Sequence, residues 1–521
     1  MKSSALSWHN STLRALLAVH RSGSHPYLQN PFIQKITIKV CQRLNSITRE
    51  SHLYDYKKTL ALANLVDESF EDHPEAGAQT RLRRLEAHQA AWKGFKWIDT
   101  EKYPLARVRL WEIIGGVLCL YDHEDGGFTS TRIPSVHRGI ERTKWRIPES
   151  GRFGDHPEDF TIDPSRDLLM VLHKHVSGNT FSFELQPLSL ETGRNHPNAS
   201  STPLRKDVEA ESYTEWTYDM RIFEQFIGVL CISGESASSL LVWNWETGDF
   251  VKAVEEPMSF SFLNERFIVY SAEKYDPDQQ GMLPTLILLD LDPSGRCGEM
   301  HLELPVVDDS VEVLHISVHT ESPPGSRSSH LSQAPFRTDF HDRLFVVCIR
   351  MQDYRQNVMH NFSLFIMLSA FLPYMEEMEG SSKELVEHPW GDWGPENSKL
   401  LHVDFPDAWA CFVYGLRAVV MKPRPESAPE FPKQFHLFDF NQASIRPGVN
   451  DGSNAQVSTK TVTRDNGFRF PVASALPCRI IEGTLPEAAS AIMLNEDALV
   501  TISVQWILQW FWEATDDLQG R

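Results

Sequence analysis

The sequence predicts a mainly β chain: a β-propeller of about seven irregular blades, preceded by a small α-helical segment. Three observations carry that expectation. From about Pro104 onward, apolar runs of four to seven residues alternate with polar turns. Almost no 3.6-residue spacing intervenes, which disfavours helix-linked parallel strands. A short phrase recurs at strand ends: Leu188-Ser189-Leu190-Glu191-Thr192-Gly193, Trp243-Asn244-Trp245-Glu246-Thr247-Gly248, Leu289-Asp290-Leu291-Asp292 and Phe438-Asp439-Phe440-Asn441. Its spacing is that of a repeat. Ser189 to Asn244 is 55 residues, Asn244 to Asp290 is 46, and Asp290 to Asp439 is 149, about three such steps. A degenerate copy lies near Leu364–Ser369. The competing arrangement for such a pattern is one or two β-sandwiches.

Composition fits a globular chain. Of 521 residues, 41% are hydrophobic and 23% charged, which is ordinary for a soluble protein. The length exceeds one ordinary core unless the fold is a closed barrel or propeller. Net charge is −20, unevenly spread: residues 1–60 carry about +7, leaving about −27 on the rest. An acidic body repels phosphate backbones, so nucleic acid is not an expected partner. The seven Cys are odd in number, irregularly spaced and often inside apolar runs, as reduced core thiols would be. No run reaches the 18 apolar residues of a membrane span. A cytoplasmic or nuclear location follows, with mitochondrial targeting as the alternative suggested by the acid-free, Ser/Arg-containing start.

Taken in order, residues 1–31 lack periodicity and are expected to be disordered or a mis-assigned start. Residues 32–98 read as a helical segment and linker helix. Ile36, Val40, Leu44 and Ile47 share one helical face, and a second stretch runs from Leu53 to Val66. Asp67–Gly77 is an acidic loop. Thr80 is the expected N-cap of a helix reaching Lys93. Residues 104–515 are the expected propeller, with strand-like runs such as Ile113–Leu120, Leu168–Leu172, Phe226–Ile232, Arg266–Tyr270 and Leu344–Ile349. At roughly 60 residues per blade the repeat is long. The excess is assigned to polar loops, including 272–284, 320–341 and 376–399.

Motifs for chemistry are sparse. There is no phosphate-binding glycine loop and no Gly-x-Ser-x-Gly elbow, so no catalytic residue and no cofactor are expected. His173/His175 and His315/His319 each share a strand face, but a metal site needs further ligands. Asp122–Gly127 lacks the ligand pattern of a calcium loop and reads as a hairpin tip. The segment from Trp390 to Asn397 is densely aromatic. Trp390 and Trp393 are the candidate client contacts, as a recognition surface; a plug between blades is the equal alternative. Asn244, Asp290 and Asp439 sit just before a turn, which suits backbone hydrogen bonding.

Several stretches together resemble a known family. They are LEAHQAAWKGFKW from Leu85, LWEIIGGV from Leu110, IPSVHRGIERTKW from Ile133, DFTIDPSRDLLMVL from Asp159, LVWNWETG from Leu241, WGPEN from Trp393 and CFVYG from Cys411. The chain is similar to F-box proteins of mushroom-forming fungi that carry a C-terminal WD-like, propeller-type region. The stretch Val40-Cys41-Gln42-Arg43-Leu44, followed by Leu53 and Leu60, looks like the second half of an F-box. The opening Leu-Pro-x-Glu-Leu-type helix has no counterpart in residues 1–35. The resemblance implies a non-enzymatic substrate receptor: a Skp-type adaptor would dock on the helical segment and complete a cullin–RING ubiquitin ligase, while the propeller holds a protein client. The docking face would be Val40, Leu44, Ile47, Leu53 and Tyr56. The alternatives are that this face packs on the propeller, that the chain is a ligase-independent scaffold, or that it is a propeller enzyme with an axial metal.

Overall fold

The structure, a computed structural model, describes most of residues 51–502. Left out within that span are 69–76, 96–107, 125, 136–137, 149–156, 178–179, 210–214, 234–237, 277–280, 293–297, 322–333, 382–384, 404–411, 423–433, 446–454, 465–466, 486–488 and 490. Among the described residues, two helices come first. Helix α1, His52–Ala63, starts where the Ser51 hydroxyl accepts the Tyr54 N–H (3.4 Å). It ends at Asn64, which takes the left-handed conformation of a helix stop. The helix expected to reach Val66 therefore stops early. Leu65–Asp67 pairs as a strand with Phe336–Thr338 instead, so a tertiary partner overrides local propensity. Helix α2, Ala78–Gly94, begins at Gly77 rather than at Thr80, which lies in its first turn.

Six antiparallel sheets follow, arranged as a β-propeller as the sequence predicts. Blade 1 spans Val108 to Ile147, blade 2 Asp159 to Glu209, and blade 3 Trp216 to Glu255. Blade 4 begins at Ser259–Phe262, blade 5 at Val311–His319, and blade 6 at Val413–Tyr414. In each the first strand is innermost. The apolar cores lie between neighbouring blades. Phe128, Phe160 and Leu188 join blades 1 and 2; Phe183, Tyr218 and Trp243 join 2 and 3; Leu240, Phe260 and Ile287 join 3 and 4. Continuous apolar runs follow from burial of both sheet faces.

The seventh position is filled by a hairpin, Ala491–Leu494 with Leu499–Ile502. Its side chains alternate, as a strand requires. Ile492 and Leu494 enter the blade 6 core, while Ala491 and Met493 pack on Ile113 and Leu118 of blade 1. Among the described residues, the ring thus holds six blades and a two-stranded closure, where the sequence predicts about seven irregular blades.

The recurring phrase has one structural role. The Ser189 hydroxyl accepts the Thr192 N–H (3.1 Å), and Asn244 Oδ1 accepts from Glu246 and Thr247 (3.1 Å each). Asp290 accepts from Asp292 (2.9 Å) and Asp439 from Asn441 (3.0 Å). These are side-chain-closed turns. The residue at or just after each third strand's end then donates its N–H back to the turn between the first two strands. The pairs are Ile133 to Gly116, Leu190 to Asp167, Trp245 to Gln225, Leu291 to Arg266, Leu368 to Arg343 and Phe440 to Leu416, all within 2.9 Å. Gly193 cannot be replaced freely: its φ is +65°, and a Cβ there would lie 2.2 Å from Ile147 of blade 1.

Two expected loops contain regular elements. Within 272–284 the described residues extend the paired strands Phe267–Asp276 and Gly281–Asp290, because backbone pairing continues past the apolar run. Within 376–399 the chain forms helix α3, Leu372–Gly380, then strand Leu385–His388, then helix α4, Trp390–Asn397. That strand adds in parallel to Glu299–Glu303 and gives blade 4 a fifth strand.

Candidate functional site

The helical pair is fastened to one face of the propeller. Tyr56, 0% exposed, places its hydroxyl 2.8 Å from the Asp67 carboxylate and 2.9 Å from the Pro335 carbonyl. Arg81 and Lys57 also donate to Asp67 (2.7 and 2.8 Å). Asn441 donates to the carbonyls that end α1, at Ala61 and Leu62 (3.2 and 2.9 Å). Of the proposed docking residues, Tyr56 is thus spent on the molecule's own interior, whereas Leu53 is 45% exposed. Val40, Leu44 and Ile47 lie outside the described residues.

The aromatic segment divides in the same way. Trp393 is 1% exposed, in the core shared by blades 4 and 5, and its indole N–H donates to the Glu303 carbonyl (2.8 Å). Trp390 packs edge-on against it at 5.3 Å and covers Gly394, where a Cβ would lie 2.2 Å from the Trp390 ring. Trp393 is a wedge of the interior, and Trp390 is half-buried beside it.

The ring closure concentrates charge. Asp497, in the turn of the closing hairpin, meets His88 of α2 (2.7 Å), Ser135 Oγ (2.6 Å) and Arg138 Nε (2.7 Å). Arg138 also donates to the Phe336 carbonyl (3.0 Å) and pairs with Glu496 (2.7 Å). Burial alone would raise the Asp497 carboxyl. The Arg138 charge and the His88 and Ser135 hydrogen bonds outweigh it and hold the group far below the carboxylate range. A small pocket of mixed lining opens beside this node, between Leu65, His88, Tyr414, Leu416, Arg417 and Glu496.

Ionisable groups also converge along the propeller axis from the inner strands. Glu112 comes from blade 1, Asp159 from blade 2, and Asp219 with Arg221 from blade 3. His319 and Glu321 come from the end of blade 5's inner strand. Burial, then the charges of Asp159 and Asp219, raise Glu112 well above its ordinary value. Burial and the Asp219 charge outweigh the Phe160 N–H and push Asp159 up to about 7. Burial and the Glu496 charge push Glu321 up to about 8. Burial, with Arg221 and His315 nearby, lowers His319 to about 3. Burial thus favours the neutral forms of Glu112, Glu321 and His319 near neutral pH, with Asp159 near its midpoint. Among the described residues, no group of three or more His, Cys, Asp or Glu is placed to hold a metal ion. His319 instead bonds Ser317 Oγ (2.8 Å), and its ring lies 4.8 Å from that of Phe412. His175 pairs with Glu184 (3.7 Å). Burial pushes the Cys119 and Cys348 thiols up to about 12 and Cys478 to about 11, so they are inert at neutral pH.

Asp497 and the axial carboxyls were invisible as sites in the sequence. The one local signal is Asn495-Glu496-Asp497, an acidic turn between two short apolar runs. No protein-family model matches the chain, and no curated protein matches it in sequence. A crystal structure of an uncharacterized protein from Listeria monocytogenes EGD-e is similar at 13% identity and a TM-score of 0.27. The match covers 59% of this chain and 83% of that one. A likeness that weak carries no argument. Among the described residues, no helix is long and apolar enough to cross a membrane.

Proposed function

We propose that the protein is a non-enzymatic interaction module, an F-box-like substrate receptor that presents a protein client to a cullin–RING ubiquitin ligase. One observation carries this reading. The helical pair is joined to the propeller by Tyr56, Asp67, His88 and Asn441, so a partner docked at Leu53 of α1 would be held in fixed register with the blades. Positioning of that kind is what a substrate receptor supplies. With Tyr56 engaged internally, the docking residues narrow to Val40, Leu44, Ile47 and Leu53. Co-expression of the full chain with a Skp-type adaptor tests the proposal. Stable co-purification is expected, weakened at least about tenfold by Leu44→Asp or Ile47→Asp. Failure to recover adaptor under gentle conditions would sink the ligase role. That result would favour a ligase-independent scaffold.

A further inference from the structure

The propeller face opposite the helices carries a group of exposed apolar side chains. Blade 5 shows the separation. Its second strand runs from Leu344, beside the helix-facing connection, to Asp353 at the far tip. Ten residues of strand put about 30 Å between those ends. At the far end Tyr354 is 64% exposed, and on blade 4 Tyr275 is 65% exposed. Tyr275 stands directly across from Met282, also exposed. Leu314 joins them from the innermost strand of blade 5, exposed at a bulge between Val313 and His315. Large apolar side chains grouped at hairpin tips mark interaction surfaces more than isolated ones do.

Two carboxylates lie within this patch. Glu273 shares a strand face with Tyr275, and Glu312 bonds the Tyr354 hydroxyl. Burial first, and then the Glu312 charge, raise the Glu273 carboxyl above its ordinary value. The strand that carries Glu273 packs against the inner strand of blade 5 that carries Glu312, which brings the two acids near one another at the gap between blades 4 and 5. Among the described residues, no Lys, Arg or His pairs with either. Lys274 falls on the opposite face of its strand, and Arg355 is drawn to Asp308 (3.7 Å). A partner cation placed between Glu273 and Glu312 would relieve that repulsion, while its apolar neighbours covered Tyr275, Met282, Leu314 and Tyr354.

We infer that this patch is the client-docking surface, and that it takes a polypeptide segment in which a Lys or Arg is flanked by large apolar residues. The inference rests on the reading of the propeller as the client-holding part, and it moves that contact from the Trp393 segment to the tips of blades 4 and 5. The probe is a phage-displayed random peptide library selected on the full chain. Enriched peptides should carry Lys or Arg within two residues of an aromatic or branched aliphatic residue. Their affinity should fall at least about tenfold in Tyr275→Ser combined with Tyr354→Ser, and should fall with added salt. Glu312→Lys should turn the preference toward acidic peptides. Melting curves serve as the folding control, and Met282→Ser replaces either tyrosine variant that folds poorly. Three results would overturn the inference: no enriched peptide class, unchanged affinity in the double variant, or loss only of self-association between copies of this chain. Adaptor capture is scored on the same preparations. Loss of adaptor with peptide binding intact counts against the ligase role alone, and the converse counts against the patch alone.

Discussion

Between blades 3 and 4 the contact is a broad apolar layer, with Leu240, Val242, Phe260, Ile268 and Ile287 all buried. Between blades 6 and 1 it is a two-stranded hairpin whose turn brings Asp497 to His88, Ser135 and Arg138. The first interface is redundant, because each side chain contributes a fraction of the buried area. The second concentrates its polar contacts in two adjacent carboxylates, Glu496 and Asp497, around one buried guanidinium. A ring assembled mostly from apolar layers thus depends, at its seam, on a charge balance.

The largest expected effect breaks that seam. Asp497→Ala leaves Arg138 and His88 buried without their shared acceptor, which should cost about 3–5 kcal/mol. Urea unfolding measures the loss, and hydrogen exchange should localise it to the closing hairpin and α2. A loss below about 1 kcal/mol would show the seam to be as redundant as the blades.

The next prediction separates the seam from the axis by pH. The Asp497 pKa is depressed on folding, so its contribution is present above the unfolded value near 4 and lost as pH falls below it. Asp159 and Glu321 are raised to about 7 and about 8. Their contribution is full below about 4 and is lost as pH rises through those values. Melting temperature against pH should therefore fall on both sides. Asp497→Asn should flatten the acid limb, and Glu321→Gln part of the limb up to pH about 8. An unaltered alkaline limb in Glu321→Gln would remove that group from the account.

Smaller effects test the redundancy of the blades. Asn244→Ala removes two turn hydrogen bonds from one copy of the repeated phrase and should cost about 1 kcal/mol, without altering exchange at the seam. Tyr275→Ser, at an exposed hairpin tip, should leave stability within about 0.5 kcal/mol. A larger loss would place Tyr275 in the core of the molecule and outside the proposed surface.

Much of the blade architecture was legible because its signals are local. Ser189, Asn244, Asp290 and Asp439 close turns onto N–H groups two or three residues away, so the phrase carries its geometry with it. The degenerate copy near Leu364–Ser369 lacks that local closure, since its Ser369 N–H goes to Asp342, but its Leu368 makes the equivalent return bond to Arg343. The stop of α1 at Asn64 was not legible, because the strand after it depends on a partner in the connection of blade 5. Trp393 looked alike as a surface or an interior residue, since only the packing of blades 4 and 5 buries it.

By itself, then, the sequence determined the strand pattern, the turn chemistry and the repeat, because each needs only neighbours along the chain. The tertiary structure decided which acids meet. His88 and Asp497 are 409 residues apart in sequence, and Glu112, Asp159 and Glu321 come from three different blades. Closing the ring brings such groups together, and burial there changes their charge, which no local pattern encodes.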